Sequence, residues 1–132
     1  MTLFGGLLKR FEKQCETSDN HKDESLQTRY YKGNLNQLFT TVEEIFNNDK
    51  QAKVVNSAKE HGELAIEVNR GRKIFMIITI ITVKPYQTAV DINASTESGS
   101  LTGVYGQLKE EILRFYQKLD QKSTYIGSGK NV

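Results

Sequence analysis

Five side chains in the run CETSDNHKDES could bind a metal or act as acid, base or nucleophile: Cys15, Glu16, Asp19, His21 and Asp23. A zinc site needs soft ligands in paired clusters, and this spacing fits no such pattern. His61 is the only other histidine and Cys15 the only cysteine, so a second cluster is missing. A nucleophilic Cys15 would need a positioned general base, which a polar stretch without periodicity does not hold. The expectation for Cys15–Ser25 is a solvated linker with no metal and no catalytic residue.

Other groups invite chemistry and are weighed in the same way. Asp91 and Glu67 fall on strand positions opposite the apolar ones and could approach each other across a sheet, but solvated surface carboxylates are the commoner outcome. Gly127-Ser128-Gly129-Lys130 is like the end of a phosphate-binding loop. Thr124 stands where the first glycine belongs, Asn131 follows the lysine, and no helix comes after. Gly99-Ser100-Leu101-Thr102-Gly103 lies between a strand and a helix N-terminus, where backbone N–H groups can hold an anion; an ordinary helix start explains it as well. Arg29, Lys32, Arg70, Arg72, Lys73 and Lys84 could gather at strand ends near Tyr30 and Tyr31, a way to bind single-stranded nucleic acid. The formal net charge of +2 and the lack of an RNA-recognition signature argue against a nucleic-acid partner. There is no Gly-x-Ser-x-Gly and no His-Glu-x-x-His, so no catalytic set and no cofactor is expected.

The element that everything else must be arranged around is Lys73–Lys84, KIFMIITIITVK. Strand side chains alternate, so Phe75, Ile77, Thr79, Ile81 and Val83 point to one side, and Ile74, Met76, Ile78, Ile80 and Thr82 to the other. Both sides are apolar, which suits a central strand covered above and below. At this length, bracketed by lysines, it is far short of the roughly 20 apolar residues of a membrane helix.

Around it, Leu35, Leu38, Phe39, Val42, Ile45 and Phe46 trace the stripe of a helix over Leu35–Asn47, with Asn34 as its cap. A second stripe, from Leu101 through Leu119, marks a helix over roughly Leu101–Gln121. Gly103 and Gly106 lie in its first turns, where small residues would allow close approach to the sheet. Alternation marks strands at Leu26–Lys32, Gln51–Lys59, Leu64–Asn69 and around Val90–Ser95, the last four of the five strands forming an antiparallel meander. In Met1–Gln14, Leu3, Phe4, Leu7, Leu8 and Phe11 recur at helical spacing, opposite Lys9, Arg10, Glu12 and Lys13. The tail Ser123–Val132, with Gly127 and Gly129, is expected to be mobile.

These elements specify an α+β fold: a two-layer sandwich with a five-stranded, mostly antiparallel sheet in the order β-α-β-β-β-β-α, two helices on one face, and an N-terminal amphipathic helix in front. The units are residues 1–14 as that helix, 15–25 as a polar linker, 26–122 as a single α+β domain and 123–132 as a flexible tail. The 132 residues suffice for one domain with a real core. The apolar fraction of 37% and charged fraction of 26% match a globular protein with a wet surface. Residues 1–14 lack the small-residue cleavage site and long apolar core of a secretory signal.

The strings CETSDNHKDESLQTRYY, TAVDINASTES and YIGSG resemble a family of small cytosolic proteins of Bacillus-like Gram-positive bacteria with no assigned function. The resemblance implies a cytoplasmic setting and carries over no functional residue.

Two helices can roof only one side of a doubly apolar strand, so its other face is an interaction surface unless something covers it. The functional expectation is a non-enzymatic module that docks through this sheet face, or through Leu3, Phe4, Leu7, Leu8 and Phe11. The occupant would be a second copy, a protein partner or a membrane surface, with lipid contact through residues 1–14 at the inner face. The alternative is a small-molecule-binding protein or enzyme with a pocket between sheet and helices, for which polar groups from Asn69, Asp91, Asn93 or Tyr116 would have to converge.

Overall fold

The computed structural model describes residues 13–97 and 104–129. Within them the chain is α+β, with seven strands and two α-helices. In chain order these are β1 (Lys13–Glu16), β2 (Arg29–Lys32), α1 (Leu35–Asn47), β3 (Ala52–Ala58), β4 (Glu63–Asn69), β5 (Lys73–Lys84), β6 (Gln87–Thr96), α2 (Val104–Lys122) and β7 (Tyr125–Ser128). Residues 1–12, where most of the expected N-terminal helix falls, lie outside the described residues; residues 13 and 14 belong to β1.

All strand pairings are antiparallel, in the order β3-β4-β5-β6-β2-β7. The β3-to-β6 part is the expected meander. β5 occupies one edge of β6 along most of its length. On the other edge β1 pairs with Asn93–Thr96 and β2 with Gln87–Val90, so β1 and β2 lie end to end like one strand interrupted by residues 17–28.

The five-strand count therefore falls short by β1 and β7, and neither the linker nor the tail is purely a connector. Each strand has only four residues, too short for alternation to register in the sequence. What holds them is tertiary. Cys15 of β1 packs into the main core, and β7 is clamped at its ends by Lys32 N–H donating to Thr124 O and Gly129 N–H to Thr28 O. The expected strand Leu26–Lys32 is confined to β2, because Glu24–Leu26 forms a 3₁₀ turn capped by the Asp23 side chain.

α1 has the expected bounds. The Asn34 side chain accepts the Gln37 N–H and the Gln37 side chain accepts the Asn34 N–H, a capping box that satisfies two otherwise orphaned donors. Its buried stripe (Leu38, Phe39, Val42, Ile45, Phe46) and that of α2 (Leu108, Ile112, Phe115, Tyr116, Leu119) join one core with Leu64, Ile66, Ile74, Met76, Ile78 and Ile80 of the sheet. The helices meet where the Phe46 and Phe115 rings stack with centroids 5.1 Å apart. Both helices thus lie on the even-numbered side of β5. Gly106 does not serve close approach to the sheet: it is exposed, and nothing lies within 4 Å of where its Cβ would be.

Candidate docking surface

The face away from the helices is built from register. Across β4, β5 and β6 its rows read Glu67, Phe75, Ser95; then Ala65, Ile77, Asn93; then Glu63, Thr79, Asp91; and further along, Ile81 beside Ala89. Ala65 and Ile77 form a second apolar cluster, separate from the main core, with Phe75 packed against it. The same odd-numbered side of β5 continues into open solvent, where Ile81 is 53% and Val83 47% exposed, next to the exposed Tyr86 of the β5–β6 turn. Polar groups rim the strip. Lys73 pairs with Glu67 at 3.2 Å, and Thr79 Oγ1 donates to Glu63 at 3.5 Å. Leu3, Phe4, Leu7, Leu8 and Phe11, the residues the sequence singles out for docking, lie outside the described residues.

The possible chemical groups are dispersed. Asp91 and Glu67 sit in rows separated by one and on strands separated by β5. Asp91 accepts the hydroxyls of Thr17 and Thr28 instead. Burial raises its carboxyl, partly offset by those two donors. Cys15 lies in β1 and is 2% exposed, and burial pushes its thiol up against the lowering effect of Tyr105 and Lys109. That is the opposite of an activated nucleophile. Of its neighbours in sequence, Asp19 accepts the Tyr30 hydroxyl at 2.8 Å, and His21 Nδ1 accepts the Asp23 N–H at 3.0 Å. Asp23 binds Lys109 at 2.6 Å, which with Ser25 holds its carboxyl at about 2. The loss of water and the Asp19 carboxylate push Tyr30 up to about 12. Among the described residues no group of three or more His, Cys, Asp and Glu is placed to hold a metal ion.

The basic residues do not form one surface. Arg29 pairs with Asp120 at 2.7 Å and lies between the rings of Tyr116 and Tyr125. Tyr31 is fully buried and donates to Asp120. Arg70 is engaged by Asp49 and Glu111, and Lys84 stands at the far end of β5 from Lys73.

The polar groups named for a pocket do not converge either. Tyr116 Oη donates to Val90 O inside the core, while Asn69 is exposed. A cleft of about 630 Å³ does open at the β4–β5 turn, with Arg72, Lys73, Phe75, Thr96 and Gln107 among its walls.

What sequence reading missed here are Thr17 and Thr28, whose partner lies on a distant strand, and the difference in exposure between the two halves of the β5 strip. The only signal of the first was a pair of threonines in an otherwise charged stretch. No helix among the described residues is long and apolar enough to cross a membrane. Comparison with protein-family models, curated proteins and solved structures finds no match to this chain.

Proposed function

We propose that this chain is a non-enzymatic interaction module that docks through the apolar side of β5 facing away from the helices. The observation that supports this is the continuation of that side into Ile81 and Val83, about half exposed in the last third of the strand, beyond the end of β4, where a self-contained domain would place polar residues. Tyr86 adds an aromatic ring with a polar tip, a type enriched in interface cores. A second copy or a protein partner suits this surface. A membrane contact would use residues 1–14 at the inner face of a cytoplasmic setting, which the resemblance to small cytosolic proteins favours.

The experiment is sedimentation velocity over a range of concentrations, with flotation on anionic vesicles, for the full chain and for Ile81→Glu/Val83→Glu. Both side chains are exposed, so the double variant is expected to fold. Wild-type chain should self-associate and the double variant should not, whereas flotation that survives the double substitution would assign lipid contact to residues 1–14. A wild-type chain that stays monomeric, does not float and sediments like the variant would remove this reading.

A second reading, a small-molecule site at the cleft beside Arg72, is favoured by one detail. Nη1 of that guanidinium is buried and has no hydrogen-bond partner among the described residues. Titration with inorganic phosphate, followed through the Phe75 and Thr96 amide signals, tests it; no shift at millimolar phosphate speaks against an anionic ligand.

A further inference from the structure

A second cleft, of about 450 Å³, opens at the end of the sheet where β5 turns into β6. Three junctions wall it: β2 to α1 with Lys32, Gly33 and Gln37, β5 to β6 with Tyr86, and α2 to β7 with Lys122 and Thr124. Backbone hydrogen bonds tie these junctions together. Gly33 N–H donates to Tyr86 O at 2.9 Å, and Lys32 N–H donates to Thr124 O at 2.9 Å. Gly33 O in turn accepts the Thr88 hydroxyl at 2.6 Å. The backbone of the cleft is thus set in advance, and a ligand does not have to order it.

Its charge is one-sided. Lys32 and Lys122 line it, no aspartate or glutamate does, and neither lysine has an ion-pair partner among the described residues. The cleft beside Arg72, by contrast, has Glu67 and Glu97 in its wall. A lysine in a last turn complements the carbonyl end of a helix, which accounts for Lys122. It accounts for neither Lys32 nor Tyr86. Among the described residues Tyr86 is the sole non-glycine with a positive φ, at +60. Pro85 and Tyr86 connect Lys84 to Gln87, which pair across the hairpin. A turn with proline first and a positive φ second favours glycine or asparagine at the second place. Here a tyrosine fills that place, 65% exposed and outside the core. Backbone strain held beside a cleft in this way is a mark of ligand contact.

We infer that this cleft binds a small phosphomonoester carrying a flat ring, of the size of a nucleoside monophosphate. Its phosphate carries a charge of about −1.5 to −2 at neutral pH. Lys32 and Lys122 meet that charge, with the Ser123 and Thr124 hydroxyls as further donors. The volume suits a ligand of this size, and the Tyr86 ring offers a face on which the flat group stacks. Neither Ile81 nor Val83 lines the cleft, so ligand binding here goes beyond the docking reading and stands or falls apart from it.

The test is a titration of the full chain with phenyl phosphate and, separately, with inorganic phosphate, at neutral pH and fixed ionic strength, followed through amide signals. Phenyl phosphate should shift the Gly33, Gln37 and Thr124 amides to saturation at millimolar concentration and bind several times more tightly than inorganic phosphate. Lys32→Gln/Lys122→Gln should weaken phenyl phosphate about tenfold. Tyr86→Gly puts the residue that this turn favours in its place and so keeps the fold; it should bring phenyl phosphate down to the affinity of inorganic phosphate. The absence of a saturable shift at these amides would overturn the assignment. So would undiminished binding by either variant, or phenyl phosphate binding no tighter than inorganic phosphate. Shifts confined to Phe75 and Thr96 would put the anion in the Arg72 cleft and overturn it too, leaving the role of Ile81 and Val83 to the sedimentation experiment.

Discussion

Thr17 and Thr28 donate to the same oxygen, Oδ1 of Asp91, at 2.7 and 2.6 Å. Thr17 directly follows β1 and Thr28 directly precedes β2, so one carboxylate on β6 fastens both ends of the break in the strand beside it. The excursion between them is closed by Ser18 N–H donating to Leu26 O and Thr28 N–H to Ser18 O. Thr17 Oγ1 also accepts the Ile92 N–H at 2.9 Å, giving β6 a ladder bond where no strand residue stands opposite. The apparent linker is therefore an ordered insertion between two strands that lie end to end along β6.

For Asp91 the acceptor matters more than the charge. Burial raises its carboxyl above the ordinary 3.8. A carboxyl raised by folding contributes stability that is complete below its unfolded value and is lost as pH rises through its folded one. Asp91→Asn keeps an oxygen for both threonines and removes the buried charge. Its unfolding free energy at pH 7 should equal or exceed that of the wild type, with a flatter pH dependence above 3.8. Asp91→Ala strands two hydroxyls and should cost about 1–3 kcal/mol. Urea unfolding at several pH values decides it, and equal losses in both variants would contradict the argument.

Two glycines should respond to alanine with opposite signs. Gly62 has φ +68, and a Cβ there would lie 2.2 Å from Ile80 O, whose residue also donates its N–H to Gly62 O at 2.7 Å. Gly62→Ala should cost at least about 1–3 kcal/mol, because the β3–β4 turn must open or distort. Gly106 is helical, exposed and clear of neighbours. Gly106→Ala should stabilise by up to about 1 kcal/mol. Thermal melts of the pair check both signs at once.

Much of this arrangement was legible in the residues, and the limits are physical. β5 and α1 are long enough for a period of two or of 3.6 to repeat several times, which is why Lys73–Lys84 and Leu35–Asn47 stand as expected. β1 and β7 are single short pairings whose residues, KQCE and YIGS, carry no repeat; long-range hydrogen bonds and one buried side chain create them. At the candidate surface, alternation identified Phe75, Ile77, Ile81 and Val83 as sharing a side. Which of them is buried changes along the strand, from Ile77 at 1% to Ile81 at 53% exposed, and a period of two carries no such information.

Arg70 should be the most sensitive surface-reaching charge. Its Nε donates to Glu111 Oε2 at 2.9 Å, and its two terminal nitrogens donate to the two oxygens of Asp49, Nη1 at 3.2 Å. The Arg70 hydrogen bond is the chief reason the Asp49 carboxyl lies at about 2 instead of 3.8. A carboxyl depressed by folding contributes stability above its unfolded value, lost as pH falls through its folded one. Wild-type stability should thus drop by about 2 kcal/mol between pH 4 and pH 2 through this group. Arg70→Met leaves two nearly buried carboxylates without their main cation and should cost about 3 kcal/mol at pH 7. Arg70→Lys restores the charge without the planar fork, so it should recover only part of the loss. Full recovery by lysine in urea titrations would show that geometry is unimportant here.

β7 should be held chiefly by one aromatic side chain. The Arg29 guanidinium lies 4.8 Å from the Tyr116 ring centroid and 5.0 Å from that of Tyr125, while its Nη1 binds Asp120 at 2.7 Å. Tyr125 also packs against Tyr31, with ring centroids 5.9 Å apart, and it is the first residue of a four-residue strand. A strand this short at a sheet edge has few ladder bonds of its own, so its position depends on that ring between cation and aromatic. Tyr125→Ala should release β7 while leaving the rest folded. The Lys32 and Gly129 amides, which donate to Thr124 O and Thr28 O, should lose most of their hydrogen-exchange protection. Ile92 N–H, bound to Thr17 on the far side of the interrupted strand, should keep its own. Tyr125→Phe keeps the ring and should leave all three amides as they are, because Tyr31 and Arg29 contact the ring itself. If the alanine variant exchanges like the wild type, the backbone bonds alone hold this edge.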